Sequence, residues 1–200
     1  MLEGMLSLLL QAEIQKTQIE IQQKVDSYYV ANPPAQSYKY NITYDISSRG
    51  TIKGDLNEFA RVVEATFNDP RGWARAGVKF TRVQSGGRLH MILASGDQVR
   101  AAAPGGCSTD LSCTVFPLVL INDDRWLHAT DSYNNAGVSL ADYRTMVINH
   151  EVGHFLGHDH VSSCESGTGI APVMLQQSTG LRGCKANSWP LKNELWVTRH

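Results

Sequence analysis

Apolar positions along the chain change their period several times, and each change predicts a new element. Tyr38–Asp45 (YKYNITYD) sets β-branched and aromatic residues in partial alternation and predicts a strand. From Asp55 onward, Leu56, Phe59, Val62, Val63 and Phe67 recur at steps of three and four. That spacing predicts a helix, which the proline of Asn68-Asp69-Pro70 ends. Two further strands are expected over Val78–Val83 and Leu89–Ala94, separated by the turn signal Ser85-Gly86-Gly87. Leu118–Ile121 is short and wholly apolar, as a strand covered on both faces of a parallel sheet must be. Ser139, with Asp142 three residues on, then caps a helix along which Tyr143, Met146, Val147, His150 and His154 occupy neighbouring faces.

This order predicts a mixed α/β (α+β) fold, an open sheet backed by helices. Four strands are legible, and none can be placed between about Val99 and Phe116. Ahead of Asn32-Pro33-Pro34, Leu10, Ile14, Ile21, Val25 and Tyr28 fall mostly at helical spacing among Gln, Lys and Glu. Residues 1–36 therefore read as an amphipathic helix and linker, and residues 37–200 as one domain. A length of 200 residues suits a single core of this kind.

Charge changes the picture by exclusion. Eighteen Lys and Arg stand against nineteen Asp and Glu, for a formal net charge of −1, and no basic run is available to neutralise phosphates. A nucleic-acid partner is not expected. The four cysteines, Cys107, Cys113, Cys164 and Cys184, lack the spacing of a zinc knuckle or a redox pair. Two disulfides are the better reading, in an oxidising compartment. Of three connectivities, the sequence-local pairs Cys107 with Cys113 and Cys164 with Cys184 are favoured, because each would staple a loop rich in Gly and Ser. The apolar run LSLLL near the start is too short to span a bilayer. Export is then expected to involve a longer precursor, trimmed or tethered to a membrane.

The candidate chemistry sits in NHEVGHFLGHDH, residues 149–160. His150 and His154 are four apart, so on a helix they lie on one face and can converge on an ion. His158 continues the series but is a decoy. Three side chains spread over two turns of about 5.4 Å each cannot all come within about 2.1 Å of one ion. Gly157 can take a left-handed conformation and end the helix, which brings His160 round as the third ligand. Three neutral imidazoles suit Zn2+, with the fourth tetrahedral position left to water. Glu151, next to His150, is placed to act as general base and then acid in cutting an amide. His158 and Asp159 can also serve by orienting ligands through hydrogen bonds.

HEVGHFLGHDH resembles the extended zinc signature of the metzincin metallopeptidases, and Ala171-Pro172-Val173-Met174 lies where that clan has its methionine turn. More closely, NHEVGHFLGHDH, APVMLQQS, LRGC, NSWP and the earlier NDPRGW look like a family of exported actinobacterial proteins that carries only a domain-of-unknown-function label. Both cysteine pairs fall where that family places its own. The metzincin resemblance implies a twisted, mostly parallel five-stranded sheet with two long helices as an upper subdomain over 37–160, its antiparallel edge strand lying between about Val99 and Phe116. It also implies a small irregular lower subdomain over 161–200, with Met174 beneath the zinc. Gln176 stands where several metzincin families have a tyrosine, so help from that side chain is not expected. A secreted or cell-surface bacterial zinc endopeptidase, monomeric and acting on peptides or proteins, is the expected function. The alternatives are a catalytically silent zinc-binding adhesion domain and an amidase acting on cell-wall amides.

Overall fold

The computed structural model describes residues 37–199 and, before them, only Gln11, Glu13 and Lys16, which are helical. The rest of the amphipathic helix expected over residues 1–36 lies outside the described residues. The chain divides into two units, Met1–Pro33 and Pro34–His200. The second is built on five strands, β1 (Tyr40–Arg49), β2 (Val78–Arg82), β3 (Leu89–Ala94), β4 (Cys113–Val115) and β5 (Leu118–Asn122). They form one sheet in the order β2-β1-β3-β5-β4. Every pairing is parallel except that of β4 with β5, which makes β4 an antiparallel edge.

β1 runs beyond the expected end at Asp45 because it serves two neighbours. Its first half, Tyr40–Tyr44, pairs with β2, and its second half, Tyr44–Arg49, pairs with β3. The exposed Ser47 and Ser48 of that second half hide the strand from a hydrophobic pattern. For the same reason the Ser85-Gly86-Gly87 turn closes no hairpin, since β2 and β3 flank β1 on opposite sides. Gly87 passes so close to β1 that a Cβ there would lie 2.6 Å from the Asp45 nitrogen.

Five α-helices lie between and after these strands in the described residues of this unit, α1 (Leu56–Asn68), α2 (Gly96–Ala102), α3 (Asp123–His128), α4 (Asp131–Asn135) and α5 (Leu140–Leu156). Asp55 caps α1, its carboxylate accepting from the N–H groups of Asn57 at 2.7 Å and Glu58 at 3.3 Å. Ser139 caps α5 by accepting from the Asp142 N–H at 3.1 Å. On one face of the sheet Leu89, Met91, Leu93, Val119 and Ile121 pack with Phe59 and Val63 of α1 and Met146, Val152 and Phe155 of α5. On the other, Ile92, Ala94 and Leu120 pack with Val99 of α2 and Cys107. β5 is thus covered on both sides, which explains its unbroken apolar run. Arg144 of α5 ties the helices together, reaching Glu58 of α1 at 2.8 Å while lying over the Trp126 ring of α3.

After α5 the chain is irregular. The described residues from Val161 on hold one 3-10 turn, Lys192–Glu194, and the isolated bridges Val161 to Leu175 and Ile170 to Lys185. Order comes instead from the Cys164–Cys184 disulfide and from buried amides. Gln177 donates to the Asn187 carbonyl at 2.8 Å and accepts from the Asn187 N–H and the Tyr133 hydroxyl at 3.0 Å each. The segments NDPRGW and NSWP, distant in sequence, brace α5 together. Trp73 donates to the Asn149 carbonyl at 3.2 Å, Asn149 donates to the Ser188 carbonyl at 2.8 Å, and Arg71 lies over the Trp189 ring at 4.4 Å.

Candidate metal centre

α5 ends in a Schellman closure that shapes the site. Gly157 stands at φ +103° with its N–H donating to the His154 carbonyl at 3.1 Å, and the His158 N–H reaches back to the Gly153 carbonyl at 3.0 Å. A left-handed residue is required there, and a side chain at Gly157 would also strike the Thr198 hydroxyl. The chain turns back, and the Val161 N–H donates to the Met174 carbonyl at 3.1 Å. This return brings His160 against the helix.

The three nitrogens His150 Nε2, His154 Nε2 and His160 Nε2 converge, with His160 3.2 Å from His150 and 3.0 Å from His154. His150 spends its Nδ1–H on the Val173 carbonyl at 2.7 Å, and His154 spends its own on the His158 carbonyl at 2.8 Å. Both Nε2 atoms are therefore acceptors, and both face His160 Nε2. Tetrahedral zinc with Zn–N bonds of about 2.0–2.1 Å would hold such nitrogens about 3.3 Å apart, so the residues present fit that ion. Burial pushes the His150 imidazole down to about 3 and holds His154 and His160 below the ordinary histidine value. All three are kept neutral, the form that ligates.

His158 is elsewhere. Its ring is buried, packs on Trp196 and Trp73 with centroids 3.7 and 5.0 Å away, and bonds the Trp196 carbonyl through Nε2 at 2.9 Å. What it gives the site is its backbone carbonyl, the partner of His154.

Glu151 projects beside the ligand face and is buried. Thr114 of β4 places its hydroxyl 2.7 Å from Glu151 Oε2 and 2.9 Å from the Glu151 carbonyl, with one proton to give between them. Burial pushes the Glu151 carboxyl up to about 7 against the pull of Thr114, and a divalent cation alongside acts in the same sense as Thr114. Thr114 is not singled out by any motif; only the expectation of an edge strand between Val99 and Phe116 points to its neighbourhood. Nothing in the spacing of the motif singles out Gly153 either. A Cβ there would lie 2.3 Å from Met174 Sδ and 3.1 Å from Trp73 Cζ2, so this position lets the buried Met174 pack directly beneath the histidine helix.

The site opens on a cleft of about 480 Å³. Ser112, Thr114, Gln176 and Ser178 line it together with His150, His154, His160 and Glu151. The expected disulfides are both formed, Cys107–Cys113 beside the cleft and Cys164–Cys184 in the irregular segment.

A family model described as a protein of unknown function, DUF3152, matches residues 18–193. The chain belongs to this family. No curated protein matches it. The span shared with DUF3152 contains the three histidines, Glu151, Met174 and both disulfides. Those disulfides point to an extracytoplasmic, oxidising compartment. No described helix is long and apolar enough to cross a membrane.

Proposed function

We propose that the protein is a zinc-dependent endopeptidase of the metzincin kind, exported and acting on peptide bonds. One observation carries the reading. Three imidazole nitrogens meet within 4.8 Å of one another, two of them fixed as acceptors by their own Nδ1–H bonds, with a buried carboxylate on the adjoining residue. Zinc held there supplies a Lewis acid that activates water and polarises a carbonyl.

The chain's own residues do the rest. Glu151 takes the proton of the attacking water and hands it to the leaving amine. Thr114 holds that carboxylate by Oε2, so that Oε1 remains to face the water. β4, the antiparallel edge of the sheet, offers its outer backbone groups to an extended peptide, which pairs with it by strand addition and lies across the cleft. Burial of Glu151 keeps bulk water from competing for its proton.

Cleavage-site profiling on a denatured proteome, with and without a chelator and with Glu151→Ala, tests this. Chelator-sensitive cleavage that falls about 10²- to 10⁴-fold in Glu151→Ala is expected. Wild type and variant that both hold zinc and leave the same peptides uncut would overturn it. In that case, hydrolysis of peptidoglycan fragments by wild type alone would favour an amidase, and none at all a zinc-dependent binding domain.

A further inference from the structure

Glu194 is, among the described residues, the most buried acid outside the cleft, 4% exposed, and lies 34 positions beyond the last of the three histidines. All its bonds go to backbone N–H groups. Oε2 accepts from Leu191 at 2.7 Å and Val173 at 3.0 Å, and Oε1 accepts from Met174 at 2.8 Å. The Met174 N–H belongs to the same peptide group as the Val173 carbonyl, and that carbonyl accepts from His150 Nδ1 at 2.7 Å. One peptide plane therefore has a carboxylate on its N–H side and an imidazole on its carbonyl side.

We infer that Glu194 is a positioning residue of the metal centre, acting on His150 through the Val173–Met174 peptide. Two physical effects follow. The turn lies in a segment without sheet or long helix, and the two isolated bridges flank it without supplying acceptors for the Val173 and Met174 N–H groups. Glu194 supplies them, so the carbonyl that orients His150 is held in place. A negative charge on the N–H side also polarises the peptide, which strengthens the hydrogen bond from His150 Nδ1 and makes Nε2 a better donor to a cation. The arrangement does the work of a carboxylate bonded directly to a ligating histidine, with a peptide interposed. It rests on the preceding reading only in taking the three histidines as metal ligands.

The test is zinc affinity, measured by competition with a chromogenic chelator, in wild type, Glu194→Gln and the control Val63→Ala, a core truncation remote from the relay. Glu194→Gln is expected to bind zinc about tenfold more weakly, the lower end of what loss of a ligand's outer partner costs, and to shift the visible spectrum of the cobalt form. Val63→Ala is expected to lose stability and keep both. A folded Glu194→Gln that binds zinc within about twofold of wild type, with an unchanged cobalt spectrum, overturns the inference.

A second measurement needs no variant. When cadmium replaces zinc in the wild type, the Met174 amide proton should shift together with the His150 Nδ1 proton, and a Met174 signal that stays fixed while His150 moves overturns the relay. A wild type that takes up no zinc sinks this inference and the peptidase reading together. Zinc uptake without peptide cleavage, and with the Glu194 effect present, sinks only the latter.

Discussion

At the scale of the residue, Gly153 shows how packing overrides propensity. Alanine in place of glycine inside a helix ordinarily stabilises by about 1 kcal/mol. Here the added methyl group would collide with Met174 Sδ and crowd Trp73, in a position with no solvent to relax into. Overpacking of a close-packed core costs about 1–3 kcal/mol, and it outweighs the propensity gain. Gly153→Ala should therefore lower the stability measured by urea denaturation, and a variant as stable as wild type would show that Met174 does not press on the helix. The histidines were legible one by one because their roles follow from helix geometry. His150 and His154 share a face, His158 rides too far along, and His160 needs the reversal that Gly157 provides. Thr114 and Glu194 were not legible, since each acts through a contact that no local spacing encodes.

At the scale of the element, the strongest periodic segments came out where the pattern put them. α1 begins at the Asp55 cap and stops before Pro70, while β3 and β5 match their apolar runs to within a residue. β4 escaped because it is three residues long, has no fully buried side chain and is held by a disulfide at its first residue. The short helices α2, α3 and α4 escaped for a related reason, as five to seven residues are too few to display a period. Where elements are this short, crosslinks take over. The two bridges close loops of 6 and 20 residues, worth about 2 and about 3 kcal/mol in the chain-entropy account. Replacing Cys164 and Cys184 by serine should cost more stability in urea denaturation than replacing Cys107 and Cys113. The reverse order would mean that native packing, not loop closure, sets the contribution of each bridge.

At the scale of the whole molecule, the candidate centre joins two kinds of structure. α5 grows out of the sheet-based core and carries His150, Glu151 and His154; the irregular segment after it carries His160, the Val173 carbonyl and Glu194. A cation between them would crosslink the two and add binding free energy to folding. An open sheet and the two long helices were readable from the pattern and the irregular end was implied by the family resemblance, while the way NDPRGW and NSWP meet against Asn149 required the fold. The central claim is that one metal ion sits among His150, His154 and His160. Diffraction from crystals of the protein as isolated, recorded on both sides of the zinc absorption edge, tests it most directly. The account predicts a single anomalous peak about 2.0–2.1 Å from each of the three Nε2 atoms. A map with no peak at that point, or with the zinc held by other residues, would contradict it.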